Sequence, residues 1–430
     1  MLLGVNAVNI GLMGLGVVGS SVARILDDNS TDLGACLKAV LVRDIDAHRS
    51  YMPLSAKLTS NPSDLLGNPE ISVIIELMGG EQPAFDYICK ALMAGKHVVT
   101  ANKEVLGKHG KTVFDLAKKS GVTIRFEASV GGGIPIVGAL LNELGSNNIE
   151  SIRAIINGTT NYILTKMANE GVDFPTALNQ AQTLGYAETD PTKDIEGEDA
   201  AYKLAILASL AFNSNVNSSE IYHEGVTRLN ATDFQYAAEL GYFIKLLAVG
   251  KKVGENIQVR VHPAFISQTH ALAKVDGVFN AVELEGDLVG PVMFQGRGAG
   301  ALPTSSAVIS DTMHVIKGIR DNGPIYYPEL SPEKIMVEPM AQLSTQYYLR
   351  MLVIDKPGAM AQITKVLGDH NVSLSAVIQK GTFQATGLAE VVVTTHAALE
   401  SSVRDAVSTL EGIDMVQEVS NLIRIEDVGT

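Results

Sequence analysis

Three features predict an α/β fold in several parts for this 430-residue chain. Short apolar runs alternate with helical patterns up to about residue 130, a glycine-rich turn joins the first run to the first helix, and the C-terminal end reads βαββαβ. Apolar residues make up 46% of the chain, enough for real cores, and at about 150 residues per domain the length fits roughly three domains.

Strands are expected at 5–12, 36–42, 72–77, 97–100 and 123–127, with helices at 17–26, 83–94 and 112–120 between them. That alternation is the pattern of a doubly wound parallel sheet with crossover helices. The middle of the chain changes to α+β: a strand at 151–156, helices at 162–169, 175–184 and 195–211, further strands, then a helix at 305–319. The pairs Gly323-Pro324, Tyr327-Pro328 and Ser331-Pro332 mark a linker, taken as 321–346. The closing unit has strands at 348–354, 373–380, 388–395 and 414–425 and helices at 360–369 and 399–410, a ferredoxin-like order. The expected domains are 1–135 (completed by about 305–340), 136–320 and, after the linker, 347–430.

Lys and Arg total 33 against 47 Asp and Glu, a formal charge of −14 that argues against a sequence-independent grip on nucleic acid or anionic lipid. Cys36 and Cys89 are too few for a disulfide framework or a cysteine-rich metal site. The first 23 residues carry no charge, which resembles a membrane span, but Gly4, Gly11, Gly14, Gly16 and Gly19 with Asn6 and Asn9 read better as strand, turn and helix. A cytoplasmic enzyme acting on small molecules is the expectation.

The turn Gly14-Leu15-Gly16-Val17-Val18-Gly19 fits G-x-G-x-x-G directly after a strand. The first glycine allows the tight turn, the second admits a pyrophosphate to the backbone, and the third lets helix and strand pack closely, with the helix N-terminus facing the anion. Arg43 and Asp44 close the second strand. Arg43 comes first and favours the 2′-phosphate of NADP, while Asp44 keeps NAD open. Thr100-Ala101-Asn102-Lys103 lies just past the fourth strand, at the end that faces the ligand crevice, so Thr100 and Lys103 are expected near cofactor and substrate, the alternative for Lys103 being a solvated loop lysine.

The densest polar segment contains Tyr186, Glu188, Asp190, Asp194, Glu196, Glu198 and Asp199, followed by Lys203. Asp199 and Lys203 stand at i, i+4 on one helix face. The pair reads either as an exposed ion pair worth about 0.3–0.5 kcal/mol or as a lysine kept protonated to serve a carbonyl oxygen while hydride arrives at carbon. The neighbouring acids suit a substrate ammonium group. Glu127 with the bent glycine backbone of 131–133 offers oxygen donors to a hard cation, or is simply a turn. Gly296, Gly298 and Gly300 precede a helix and offer backbone N–H groups to a cofactor, or form a plain loop. His223, His262 and His314 are isolated and fit no zinc spacing.

Taken together, these motifs, with Asn157-Gly158-Thr159-Thr160-Asn161-Tyr162, resemble homoserine dehydrogenase of the long bacterial type that ends in an ACT domain, and the likeness covers essentially the whole chain. The resemblance implies a Rossmann domain, an α+β catalytic and dimerisation domain and a ferredoxin-like ACT domain. It also implies reversible reduction of L-aspartate 4-semialdehyde to L-homoserine with NAD(P)H, on the route to threonine and methionine. Lys103 and Lys203 would then flank the reacting oxygen, Lys203 as proton donor assisted by Asp199. Glu188, Asp194, Tyr186 and Asn157 would bind substrate, Glu188 at its amino group. A monovalent cation, usually sodium, would rest on the carbonyls of Val130, Gly132 and Ile134 with Glu127 nearby. Asp355-Lys356-Pro357-Gly358 and Asn371-Val372-Ser373 resemble ACT turns, implying an amino-acid effector such as threonine, and the family assembles as dimers or tetramers. Two other readings stay open from sequence: an amino-acid sensor with an inactive dehydrogenase portion, and a dehydrogenase for a different amino-acid semialdehyde.

Overall fold

Strands β1 (Val8–Met13), β2 (Ala35–Leu41), β3 (Lys57–Thr59), β4 (Val73–Glu76), β5 (His97–Thr100) and β6 (Ile124–Arg125) pair in the order β3-β2-β1-β4-β5-β6. Every pairing among them is parallel. Ile10, Leu12, Val40, Ile74, Ile75, Val98 and Val99 are fully buried, because crossover helices cover both faces of such a sheet. The order reverses between β1 and β4, and a crevice opens beyond the carboxyl ends of strands at that point. Met13, Glu76 and Thr100, the last residues of β1, β4 and β5, therefore stand at its edge.

The computed structural model describes residues 7–49, 51–54, 56–383 and 386–426. Helices α1 (Val17–Asp28), α2 (Ala84–Met93) and α3 (Lys103–Ser120) connect the strands. Contacts divide the chain into two compact units. The first comprises Met1–Gly158, Asp199–Ile221 and Phe279–Ile335. It adds helix α4 (Glu198–Ala211) and helix α5 (Ala301–Asp321), whose Val308, Val315 and Ile316 join the core of β1 and α1. It also holds three antiparallel strands, with Phe279–Gly286 pairing with Ile149–Ile155 and Gly290–Arg297.

In the second unit, Tyr242–Val253 and Asn256–Ser267 form a long hairpin. The final strand, Val416–Ile425, pairs in parallel with Asn256–Ser267 through Ala264 and Phe265, and antiparallel with Ser344–Ile354. Leu388–Thr395 and then Leu374–Phe383 complete that sheet. Helices Ala359–Asp369 and Glu400–Glu411 bury Ile363, Leu367, Val403, Ala406 and Leu410 against it. The βαββαβ unit is thus joined edge to edge with the hairpin.

Most expected elements are present within a few residues of their predicted limits; the start of the first, at residues 5 and 6, lies outside the described residues. Three differ more. The helix expected at 112–120 begins at Lys103, because the Asn102 side chain caps it by accepting the Val105 N–H at 3.0 Å. The helix expected at 195–211 is two helices, Thr192–Ile195 and α4, separated at Gly197, whose φ of 84° breaks the run. The Pro-containing segment is tied down: the Tyr326 carbonyl accepts the Ile124 N–H at 2.9 Å, and the Ile335 N–H donates to the Ser214 hydroxyl at 2.9 Å. Among the described residues no helix is long and apolar enough to cross a membrane.

Candidate active site

The glycine turn has the three-part geometry its motif requires. Gly14 sits at φ 95°, and a Cβ there would come within 2.6 Å of the Leu77 carbonyl oxygen. A Cβ on Gly19 would come within 2.2 Å of the Gly14 carbonyl oxygen, so helix and turn touch through the missing side chain. Gly16 faces open space instead, where a phosphate can approach the backbone. Val17 is 76% exposed at the start of α1, and no side chain caps that helix end, as suits an anion-binding helix terminus. Leu15 is buried beneath the turn and Val18 lines the adjoining cavity.

That cavity, about 230 Å³, is lined by Glu76, Asn102, Lys103, Gly132, Lys203 and Ala299 among others. One wall is the 297–300 loop: Gly300, at φ 119°, starts α5, and Gly132 lies so close to Gly298 that a Cβ would come within 2.6 Å of its carbonyl oxygen. Thr100 is fully buried and its hydroxyl donates to the Glu76 carboxylate at 2.6 Å.

Asp199 lies 3% exposed on α4 and is held between two ammonium groups. Lys203 Nζ stands 2.6 Å from its Oδ2 and donates to the Ile156 carbonyl at 2.7 Å, while Lys103 Nζ pairs with Oδ1. The Asn157 amide donates to Oδ2 at 2.9 Å. Burial by itself raises the Asp199 carboxyl, but Lys203 and Lys103 more than reverse this and hold it well below the usual carboxylate range. The surface-pair reading of Asp199 and Lys203 is therefore set aside: both are buried, and the lysine is aimed by a carboxylate and a carbonyl.

The two lysines meet because α3 and α4 cross at close range. A Cβ on Gly107, one turn beyond Lys103, would come within 3.0 Å of the Tyr202 carbonyl oxygen. A loop lysine would hold no fixed position; as the first residue of a capped helix, Lys103 does.

Arg43 is exposed at the end of β2. The Asp44 carboxylate is turned into its own loop, accepting the Asp46 N–H at 2.9 Å. Arg49, which the sequence reading did not single out, binds the carbonyls of Asp44, Ile45 and Ala47 and shapes the same loop. Glu127 accepts the N–H groups of Val137 and Gly138 at 2.8 and 2.7 Å, and burial pushes its carboxyl up. Among the described residues no group of three His, Cys, Asp or Glu is placed to hold a metal. Gly131 and Gly132 take positive φ, 70° and 54°, so the backbone after Glu127 is bent as expected. The Ile134 carbonyl accepts the Ile136 N–H at 2.9 Å.

In the second unit, the Thr159 hydroxyl reaches the Tyr186 carbonyl at 2.8 Å and the Asp194 carboxylate at 3.1 Å, so one threonine of the Asn157 motif joins two of the expected substrate residues. Tyr186 packs its ring 5.0 Å from that of Tyr162 and stays 44% exposed. Glu188 is exposed, and its carbonyl accepts the Gln182 amide at 3.2 Å. Glu76 was missed in the sequence; its signal is a carboxylate ending an otherwise apolar parallel strand.

A doubly wound sheet with a dinucleotide turn, and two ammonium groups paired to one buried carboxylate at its ligand edge, define a pyridine-nucleotide-dependent oxidoreductase. Family models narrow this: residues 14–127 match the homoserine dehydrogenase NAD-binding domain, 135–313 the homoserine dehydrogenase model and 347–413 the ACT domain. The chain is 42% identical to the homoserine dehydrogenase of Neisseria gonorrhoeae, over 98% of this chain and 99% of that one, and 38% identical to that of Bacillus subtilis, over 99% of each. The crystal structure of a homoserine dehydrogenase from Thiobacillus denitrificans superposes with a TM-score of 0.91 at 39% identity, covering 98% of this chain and 99% of that one. A hyperthermophilic archaeal homoserine dehydrogenase in complex with NADPH aligns with a TM-score of 0.61 at 29% identity, covering 75% of this chain and 99% of that one. The chain belongs to the homoserine dehydrogenase family, and is an oxidoreductase with an NAD-binding domain and a C-terminal ACT domain.

Proposed function

We propose that Lys203 donates a proton to the aldehyde oxygen of L-aspartate 4-semialdehyde as L-homoserine forms, and accepts it back in the reverse reaction. The observation that carries this is the cluster at the cavity in which buried Asp199 pairs with buried Lys203 and with half-exposed Lys103. The bound nicotinamide supplies the hydride. Hydride arrival at carbon builds negative charge on oxygen, so fixed ammonium groups stabilise the transition state more than the aldehyde. Asp199 keeps both amines oriented, Lys103 adds a second positive charge, and Asn157 holds Asp199 in place. Glu188 and Asp194 take the substrate ammonium end, beside Tyr186.

Gly14, Gly16 and Gly19 with Leu15, Val17 and Val18 would hold the pyrophosphate, Thr100 and Gly300 would add further cofactor contacts, and Arg43 would read a 2′-phosphate, which favours NADP over NAD. The carbonyls of Val130, Gly132 and Ile134 near Glu127 hold a monovalent cation, sodium in the family's usual form. Threonine feeds back through the ACT domain, and the protein works in the cytoplasm as a homodimer or homotetramer. The test is NADPH oxidation with aspartate semialdehyde by the wild type and by Lys203→Met. The variant is expected to lose at least about 100-fold in kcat, the usual scale for general acid catalysis. Undiminished kcat would refute the assignment.

A further inference from the structure

Glu76 is completely buried at the end of β4, in the strand Val73-Ile74-Ile75-Glu76, and lines the cavity that also holds Lys103 and Lys203. A carboxylate is costly to bury unless donors surround it. Here they do. One oxygen accepts the Thr100 hydroxyl at 2.6 Å and the other the Met78 N–H at 2.8 Å. The bonds continue outward. Thr100 Oγ1 accepts the Asn102 N–H at 3.0 Å, and Asn102 caps α3 while its amide donates to the Gly80 carbonyl at 2.8 Å. Lys103 is the next residue, the first of α3. One acid thus ties the turn after β4 to the turn after β5, on the two strands at the cavity floor.

We propose that Glu76 is a positioning residue for the reaction: through Thr100 and Asn102 it fixes the start of α3, and with it the place of the Lys103 ammonium, while its bond to Met78 holds the 77–80 backbone against the nicotinamide end of the cofactor. The inference rests on the assignment of Lys103 to the reacting oxygen. The chemistry requires a carboxylate because both partners donate. An amide of the same shape must turn an NH₂ towards one of them, leaving either the hydroxyl proton or the Met78 N–H unmatched.

The test compares Glu76→Gln, Thr100→Val, Thr100→Ser and the double variant Glu76→Gln/Thr100→Val, together with Lys103→Met. The readouts are kcat, KM for both substrates, NADPH affinity by the fluorescence of the bound dinucleotide, and Tm. Glu76→Gln and Thr100→Val are each expected to lower kcat about 10- to 100-fold and to weaken NADPH binding several-fold. The double variant should be no worse than the poorer single one, and Thr100→Ser should recover most of the activity. Wild-type kcat and NADPH affinity in Glu76→Gln, or losses that simply add in the double variant, would overturn the proposal. So would a lowered Tm with intact kinetics at a temperature where the protein stays folded. If Glu76→Gln does not fold, the Thr100 pair decides. Loss of activity in Lys103→Met with a wild-type Glu76→Gln sinks the positioning role alone; full activity in Lys103→Met sinks both it and the reading of Lys103.

Discussion

Gly107 and Tyr202 are in backbone contact: a Cβ on the glycine would come within 3.0 Å of the tyrosine's carbonyl oxygen and 3.1 Å of its Cα. Backbone cannot yield as a side chain can, so a larger residue must push α3 and α4 apart. Gly107→Val is expected to cost about 1–3 kcal/mol of stability and at least tenfold in kcat, with Gly107→Ala intermediate in both. Thermal melts and steady-state rates check this.

Asp199 stays ionised at any working pH, and its charge favours the protonated form of the two amines beside it. Asp199→Asn removes that attraction. On the proposed role of Lys203, homoserine oxidation needs an amine able to accept the hydroxyl proton, so its rate should rise with pH. In the variant this rise should shift to lower pH, with a reduced plateau. A pH–rate profile at saturating NADP and homoserine measures both; an unshifted rise would separate Asp199 from proton transfer.

Arg43 is exposed next to a loop whose Asp44 carboxylate is engaged by the Asp46 N–H. If Arg43 reads the 2′-phosphate as proposed, Arg43→Ala should raise KM for NADPH about tenfold or more and leave KM for NADH nearly unchanged, since only the former would lose a charge-assisted bond. Initial rates with each dinucleotide decide it.

In the second unit, Arg424 is 0% exposed and bonds both oxygens of Glu400, at 2.5 and 2.8 Å. Burial alone raises the Glu400 carboxyl, but Arg424 and Arg404 bring it down to about 2. With an unfolded value near about 4.3, the stabilisation is complete above that pH and fades as pH falls towards 2. Tm should hold between pH 7 and 5 and drop below about 4.5. Glu400→Gln should lose the roughly 3–5 kcal/mol of stability that breaking a buried pair costs, seen as a lower Tm at pH 7, and should flatten the acid slope. Calorimetry across pH tests both.

The sequence carries the local relationships well. β5 spans His97–Thr100 as expected, and the i, i+4 spacing of Asp199 and Lys203 brings their side chains together. What depends on distant parts of the chain is not legible there. Nothing near Lys103 announces Asp199, because their pairing depends on a helix crossing set by Gly107. That glycine and Gly110, in a polar stretch, also hid the first turns of α3. Glu76 escaped for a related reason: an acid at a strand end looks like a surface residue until Thr100 and Met78 are seen to enclose it.

The parallel pairing of Ala264 with Arg424 and of Phe265 with Ile425 has a practical corollary for anyone who would trim this chain. Cutting near residue 345 strips the neighbour from a hairpin whose Phe265 has no exposed surface, and orphans Arg260, whose guanidinium rests on Glu426 at 2.6 Å. The tail is masonry for the hairpin, so the proposed effector response is better tested by point changes in its turns than by amputation.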